Sequence, residues 1–204
     1  MRSVVQTVGV LLAAGAGTRF DPAQPGRKLE VLTDDGMSVA ERSLIALSDA
    51  VDAVVVATRS DESPVAGIAR RRGAQVVVSG YAHLGMGHSL AAGVEAALQR
   101  FPDVRWLVVA LADMPWVKST TIRSLIEKAV ADDCIVQPGR DGQRGHPVVF
   151  PARYASELIG CSGDVGAREV LRAHAHDVFL MDVSDAGVLR DVDTPRDLAG
   201  PVSG

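Results

Sequence analysis

Aromatic side chains are scarce in this chain, because phenylalanine, tryptophan and tyrosine make up only 4 % of its 204 residues. Since 47 % of the residues are nonetheless hydrophobic, we expect a sizeable core packed mainly by valine, leucine, isoleucine and alanine. Cysteine is also rare, and the spacing of Cys134 and Cys161 matches no zinc site. Reduced thiols in a cytoplasmic protein are therefore expected.

The chain has no excess of positive charge and no long apolar run. Its formal net charge is −4, which argues against a nucleic acid as the main partner. A phosphate ligand remains compatible with this charge if cations are concentrated locally or a metal is recruited. The longest apolar run near the start, residues 8–14, is too short to cross a bilayer, and nothing resembles a secretion signal. No membrane association is expected.

Short apolar runs alternate with amphipathic stretches along the chain. Residues 7–13, 53–57, 75–78 and 106–111 are continuous and rich in β-branched side chains, which is typical of strands buried on both faces of a parallel sheet. The intervening stretches carry apolar residues at helical spacing, and they cover residues 39–47, 65–72, 90–98 and 121–131. This alternation predicts an α/β fold with a doubly wound, mostly parallel sheet in a three-layer α/β/α sandwich, formed by a single domain of residues 1–204.

Helix starts and one long loop are predicted from local signals. Ser38 and Glu41 have the spacing of a capping box, and Thr194-Pro195 with Asp197 predicts a second helix start. Residues 138–147 are polar and rich in glycine and arginine, so they are predicted to form a long loop, of the size that is often functional. Residues 147–150 are predicted to add an extra strand.

The first run ends in a glycine-containing turn with the sequence LAAGAGTRF, residues 12–20. Backbone N–H groups freed in such a turn can bind phosphates, and Arg19 and Lys28 would add positive charge. Phe20 stands where a dinucleotide-binding loop needs its third glycine, and the Gly-Lys-Ser/Thr of a Walker loop is missing. An ordinary strand-to-loop turn with surface cations is the alternative.

Two aspartates are candidates for a metal site. Asp113 follows the very apolar run 106–111, and ligands of open α/β sheets bind at the carboxyl ends of strands. Asp193 directly precedes the predicted helix start at Pro195. One or two carboxylates beside a phosphate loop are the usual protein ligands of Mg²⁺. A helix cap at Asp113 and a solvated acidic turn at Asp193 are the alternatives.

Together these features make the chain resemble the MobA-like nucleotide transferase superfamily, and within it the molybdenum cofactor cytidylyltransferases. The resemblance runs almost end to end and is specific because six motifs occur in order. They are LAAG at 12–15 with Arg19 and Lys28, GMGHSL at 85–90, DMP at 113–115, GQRGHP at 142–147, GDVGAR at 163–168 and DVDTP at 191–195.

The resemblance implies a Mg²⁺-dependent nucleotidyltransferase that moves CMP from CTP to the phosphate of a molybdopterin-type cofactor and releases pyrophosphate. It implies that Arg19 and Lys28 bind the triphosphate and that Asp113 and Asp193 hold the metal, with Arg19, Lys28 and Asp113 as the catalytic residues. A recipient molybdoenzyme is implied as a further partner. The nucleotide-binding residues implied by the same motifs are Leu12, Ala13, Ala14, Gly15, Gly17, Arg19, Lys28, Gly85 and Ser89.

The nucleotide base is suggested by two positions of the same resemblance. Alanine at position 14 and the Met-x-x-Ser-Leu segment at 86–90 go with cytosine, whereas guanine users tend to carry a second glycine at position 14. Gly87 departs from the common pattern, because a serine is frequent there.

His146 and Arg168 are the candidates for binding the acceptor. His146 lies in a cationic stretch, and Arg168 follows a Gly-Asp turn, so they are expected to contact the acceptor's phosphate or pterin, for which arginine is suited by its bidentate geometry. A backbone-bonded histidine and an Arg168 ion pair to Asp164 or Glu169 are the alternatives.

Three other functions are weighed against this one. A guanylyltransferase or another small-molecule cytidylyltransferase of the same fold keeps the reaction and changes the substrates. A non-catalytic protein that binds the cofactor and passes it to a molybdoenzyme is disfavoured because Asp113, Asp193, Arg19 and Lys28 are all retained. A nicotinamide dehydrogenase is excluded by the missing glycine at Phe20.

Overall fold

The computed structural model describes residues 5–15, 20 and 27–198. Over these residues eight strands form one mixed sheet, and helices pack on both of its faces. The predicted three-layer α/β/α fold is thereby confirmed. No helix within the described ranges is long and apolar enough to cross a membrane.

The strands are β1 (Thr7–Ala13), β2 (Ala53–Thr58), β3 (Gln75–Val78), β4 (Trp106–Leu111), β5 (Ile135–Arg140), β6 (Gln143–Arg144), β7 (Val148–Pro151) and β8 (Val178–Asp182). The α-helices are α1 (Val39–Ser48), α2 (Pro64–Arg71), α3 (Met86–Arg100), α4 (Ser119–Asp132), α5 (Ala155–Ile159) and α6 (Arg168–Ala173). The first four strands lie where the apolar runs predicted them, and α3 begins four residues before its predicted start at position 90.

Strand β1 lies in the middle of the parallel half of the sheet, paired with β2 on one side and β4 on the other. Successive side chains of a strand point to opposite faces, so β1 contributes to two cores. Val10 packs in the core under α3, α5 and α6, and Leu11 packs in the core under α1, α2 and α4. A strand covered on both faces has to be apolar at every position, which explains its uninterrupted hydrophobic sequence.

The second half of the sheet differs from the prediction. Strand β7 pairs antiparallel with β4 and with β5, and β8 pairs parallel with β5. The long loop predicted for residues 138–147 is wrong, because β5 extends to Arg140 and forms a hairpin with β6. The turn consists of Asp141 and Gly142, whose φ angles are 50° and 76°. An Asp-Gly pair with both φ angles positive is the favoured two-residue hairpin turn. The extra strand predicted near 147–150 is confirmed as β7.

Local signals at the helix starts are confirmed. The backbone amide of Glu41 donates to Ser38 Oγ at 3.2 Å, as expected at the start of α1. The start predicted at Pro195 is a single 3-10 turn, Pro195–Leu198, in which the Asp197 carboxylate accepts from the amide of Thr194 at 2.6 Å. Cys134 and Cys161 are free thiols, as predicted.

Candidate active site

The carboxyl ends of the parallel strands β1 and β4 meet at one edge of the sheet, beside the start of α3. A cavity of about 300 Å³ opens there. The side chain of Ala13 is directed away from it, into the core beneath α1, α2 and α4. Seven residues that the sequence predicts at the nucleotide or its metal line this cavity. They are Leu12, Ala14, Gly15, Lys28, Gly85, Ser89 and Asp113. Gly17 and Arg19, which complete the predicted phosphate turn, lie outside the described residues.

The start of α3 is held in place by close backbone packing. The amide of Gly87 donates to the carbonyl oxygen of Gly163 at 2.8 Å. A Cβ atom at Gly87 would lie 2.6 Å from the backbone of Ser162, and one at Gly85, whose φ is 121°, would lie 2.3 Å from Gly163. Both positions therefore require glycine for packing. This close packing explains why position 87 carries glycine in place of the serine that is frequent there.

Three carboxylates converge at the edge of the 300 Å³ cavity, which we call the nucleotide cavity after the residues predicted to bind the nucleotide. Oxygen atoms of Asp113, Asp191 and Asp193 all lie within 4.8 Å of one another. The backbone amide of Val192 donates to the carbonyl oxygen of Asp113 at 2.8 Å, which joins the two segments. Val192 is fully buried in the core, whereas the carboxylates of its two neighbours lie together beside Asp113. The cluster can offer several hard oxygen ligands to one cation.

The Lys28 ammonium lies between two of these carboxylates. Its Nζ is 2.8 Å from Asp113 Oδ2 and 3.1 Å from Asp193 Oδ1, and the residue is 7 % exposed. Burial acts to lower the pKa of Lys28, but the charge and hydrogen bond of Asp113 and then those of Asp193 outweigh it, so the pKa is raised. Lys28 is therefore a permanent cation at neutral pH, held within reach of the cavity.

Asp191 is more exposed than its two partners, and it is the member of the cluster that sequence reasoning did not assign to the metal. Its desolvation and the neighbouring charges of Asp193 and Asp113 raise its pKa, against the opposing effect of Lys28. Its position could have been found from the alternation of the extended sequence Asp-Val-Asp, because residues two apart share one side.

Arg59 is a second residue that the sequence analysis missed. It follows β2 directly, and its Nη2 donates to the carbonyl oxygens of Ala14 at 3.3 Å and Gly15 at 2.7 Å. These two bonds orient the backbone where the phosphate turn begins. Because β2 is the parallel neighbour of β1, a polar residue at its carboxyl end had to reach this edge.

A second and larger cleft adjoins the nucleotide cavity. It measures about 740 Å³ and shares Met86 and Leu111 with the first cavity. His146 and Arg168, the predicted acceptor-binding residues, both line it, together with Arg144 and Arg172. The cleft also has broad apolar walls, formed by Val109, Met114, Val148, Phe150, Val165, Leu171, Val188 and Leu189.

His146 is largely enclosed by its surroundings. Its backbone amide donates to the carbonyl oxygen of Val188 at 2.9 Å, and its Nδ1 is buried without a hydrogen-bond partner among the described residues. Burial lowers the pKa of His146 and the charge of Arg168 adds to this effect, whereas the charge of Asp113 and a hydrogen bond with the backbone of Val109 oppose it. The imidazole is therefore neutral at physiological pH and can exchange hydrogen bonds with a ligand without adding charge.

Comparison with known proteins agrees with this geometry. The MobA-like NTP transferase domain matches residues 9–178. A phosphoenolpyruvate guanylyltransferase of Sphaerobacter thermophilus is 29 % identical over 164 residues, which cover 79 % of this chain and 76 % of the relative.

Solved structures give the same picture. Rv0371c of Mycobacterium tuberculosis H37Rv is 27 % identical, with a TM-score of 0.74 and 96 % of each chain covered. Its complex with manganese is 28 % identical with a TM-score of 0.72, covering 94 % of this chain and 95 % of the other. The molybdopterin-guanine dinucleotide biosynthesis protein A of Archaeoglobus fulgidus shares the fold at 21 % identity and a TM-score of 0.64, with 94 % of each chain covered.

The two adjoining cavities, the carboxylate cluster between them and the match over most of the chain lead to one conclusion. The chain belongs to the MobA-like NTP transferase family and has the fold of a nucleotidyltransferase.

Proposed function

We propose that this protein transfers CMP from CTP to the phosphate of a molybdopterin-type cofactor in a Mg²⁺-dependent reaction that releases pyrophosphate. The observation that carries the proposal is the size and lining of the 740 Å³ cleft next to the nucleotide cavity. Its apolar walls fit a flat heterocycle, and its arginines fit a phosphate. A three-carbon phosphorylated acid would leave most of the apolar wall uncovered.

Ala14 supports cytosine as the base. The residue is 4 % exposed, and it lines the nucleotide cavity near Ser89. A glycine at this position would remove a methyl group from the wall and enlarge the cavity, which suits the larger guanine. Alanine leaves the smaller space that a pyrimidine fills. The sequence resemblance to cytidylyltransferases favours the same base.

The carboxylate cluster fits a divalent cation of the Mg²⁺ type. Its donors are all carboxylate oxygens, which small hard cations prefer, and Mg²⁺ requires only one or two of them because it retains water. Asp113 and Asp193 would hold the ion, with Asp191 completing the set. When bound, the ion would neutralise charge on the triphosphate and favour departure of pyrophosphate.

The protein's own groups supply positioning and charge. The acceptor phosphate, with a second pKa of about 6, is ionised at neutral pH, so its attack on the α-phosphorus needs no general base. Arg168 would orient this phosphate from the cleft. Lys28 and Arg19 would stabilise the negative charge that builds on the leaving pyrophosphate. Aligning two bound reactants in this way removes much of the entropic barrier of a bimolecular step.

The test is pyrophosphate release with CTP or GTP and with molybdopterin or phosphoenolpyruvate in all four combinations. We expect release with CTP and molybdopterin and at least tenfold slower release with the other three pairs. Turnover with GTP and phosphoenolpyruvate only would overturn the proposal. Binding of molybdopterin without turnover under any triphosphate would favour a carrier that delivers the cofactor to a molybdoenzyme.

Guanylyl transfer is the second candidate, because the Sphaerobacter thermophilus relative is named as a phosphoenolpyruvate guanylyltransferase at 29 % identity. The same carboxylates and Lys28 would serve that reaction unchanged. The two candidates differ at the walls of the cavities, not at the reacting centre. The four-way comparison of substrates therefore separates them directly.

A further inference from the structure

A buried glutamine lies in the wall of the 740 Å³ cleft, which we call the acceptor cleft after the ligand proposed for it. Gln137, on β5, is 6 % exposed and lines the cleft close to Gly145 and His146. Its Nε2 donates to the carbonyl oxygen of Gly145 at 3.2 Å. Its Oε1 is buried and has no hydrogen-bond partner among the residues that the structure describes. Buried polar atoms are nearly always paired, so an unpaired oxygen in a cleft wall indicates a ligand.

The orientation of this amide follows from its contact with Gly145. If the amide were rotated by half a turn, Oε1 would face the Gly145 carbonyl oxygen, and two acceptors would lie in contact without a proton between them. The nitrogen therefore points to Gly145, and the oxygen is the atom left without a partner. An amide oxygen can only accept, so the atom that pairs with it has to be a donor.

The adjacent His146 adds an independent observation. Its Nδ1 is also buried without a partner among the described residues, and it lines the same cleft. One stretch of wall thus carries two unpaired polar atoms from neighbouring positions of the fold. Arg144, Arg168 and Arg172, which also line the cleft, supply donors only. The cleft therefore carries arginine donors suited to an anion and, at Gln137, an acceptor oxygen without a partner.

We propose that Gln137 determines acceptor specificity by accepting a hydrogen bond from an N–H group of a nitrogen heterocycle. This inference rests on the proposed function and assigns the recognition of the heterocycle to one atom, Oε1. A small phosphorylated acid offers only acceptor oxygens at neutral pH and would leave Oε1 buried and unpaired. The hydrogen bond that such an acid cannot make is worth roughly tenfold to a hundredfold in affinity to a ligand that makes it.

The experiment measures dissociation constants by calorimetry in the presence of Mg²⁺ and a non-hydrolysable CTP analogue. The probes are a pterin with a phosphorylated side chain and phosphoenolpyruvate. Gln137→Met keeps the length of the side chain and removes both polar atoms. We expect it to weaken the pterin phosphate at least tenfold and to change phosphoenolpyruvate less than twofold. Gln99→Met, an exposed position on α3, is the matched control and should change neither.

A purely structural role of Gln137 gives a different result, because loss of its bond to Gly145 would disturb the whole wall. Equal weakening of both probes by Gln137→Met would therefore overturn the proposal, as would no weakening of either. Tighter binding of phosphoenolpyruvate than of the pterin phosphate by the unaltered protein would overturn it too. The nucleotide preference is measured separately by pyrophosphate release. If the protein prefers GTP but Gln137→Met still weakens only the pterin phosphate, the proposed nucleotide is wrong and the role of Gln137 stands.

Discussion

The ammonium of Lys28 lies 2.8 Å from the carboxylate of Asp113, and the lysine is buried at the edge of the nucleotide cavity where the aspartate is half-buried. Its chain neighbour Arg27 is exposed. Two adjacent positive charges are thus placed in different surroundings. A triphosphate bound to a protein of net charge −4 depends on local cations, so the buried one is expected to matter far more.

Lys28→Ala should lower kcat/KM by an amount equivalent to about 2–4 kcal/mol, because it removes a preorganised charge from the site. Arg27→Ala should cost less than about 0.5 kcal/mol, as a typical surface substitution does. Steady-state kinetics of the two variants make the comparison. Equal losses would mean that the cations act through diffuse attraction and not through contact with the phosphates.

The carboxylate cluster predicts a graded response to neutralisation. Asp113→Asn and Asp193→Asn should each remove most turnover at limiting Mg²⁺ and leave the fold intact, and Asp191→Asn should raise the Mg²⁺ concentration needed for half-maximal rate. The three side chains lie within reach of one ion, so each loss removes a ligand. Asp103→Asn, at an exposed position outside the cluster, is the control. Near-native rates of the Asp113 and Asp193 variants at limiting Mg²⁺ would contradict the assignment.

Ala14 predicts the nucleotide preference. A tenfold preference for CTP over GTP should appear as about 1.4 kcal/mol of additional stabilisation against unfolding at saturating ligand. Ala14→Gly enlarges the cavity and should reduce this difference by improving the effect of GTP. Thermal melting with each nucleotide measures both quantities. Identical shifts with CTP and GTP in the unaltered protein would disprove the choice of base and leave the reaction type standing.

The packing of α3 predicts a large effect of one methyl group. Gly87→Ala would place a Cβ 2.6 Å from the backbone of Ser162 and should destabilise the protein by about 1–3 kcal/mol, the usual cost of overpacking. Gly67→Ala, within α2, meets only the end of the Arg71 side chain at 3.4 Å and should stabilise by up to about 1 kcal/mol through helix propensity. Denaturant unfolding of both variants tests the contrast. A stable Gly87→Ala variant would show that the 162–164 segment moves aside easily.

His146 predicts a loss of stability in mild acid. Burial lowers its folded-state pKa below the usual 6.5, so the unfolded chain binds the proton first as the pH falls. Above about pH 6.5 His146 is neutral in both the folded and the unfolded state, so it adds no pH dependence to the free energy of unfolding. As the pH falls below this value, the free energy of unfolding decreases until the folded-state pKa is reached. His146→Gln should flatten this part of the profile, whereas Gln99→Met, which changes no titratable group, should not. The free energy of unfolding, measured from about pH 5 to 8, tests this prediction. Parallel profiles of the unaltered protein and the His146→Gln variant would contradict it.

Local order along the chain could be predicted because its physical causes are local. The continuous apolar run of β1 and the capping pair Ser38–Glu41 require only near neighbours in sequence, and both are found as expected. The error at residues 138–147 arose from interpreting a polar stretch rich in glycine and arginine as a loop. The Asp141-Gly142 pair was itself a hairpin signal, and it joins β5 to β6.

The chemical character of the site was also readable from the sequence. The carboxyl ends of parallel strands share one edge of a sheet, so the sequence predicts that Asp113 and the residues directly after β1 lie together, and Gly15 and Asp113 line one cavity. That inference depends only on strand direction. Pairing that depends on long-range packing was not accessible in this way, and the insertion of β7 between β4 and β5 is the clearest case.

Only the tertiary structure decided which side chains face which cavity. Burial of Val192 directs Asp191 and Asp193 to Asp113, and the bond to Gly145 leaves Gln137 Oε1 unpaired in the acceptor cleft. Spacing predicts at most that Asp191 and Asp193 share one side of their segment. That this side faces Asp113, and that Oε1 has no partner, depends on contacts between segments far apart in the chain. The sequence by itself determined the elements and the charged groups available for the reaction. Packing determined which of them meet, since the direction of a side chain is set by what its neighbours bury.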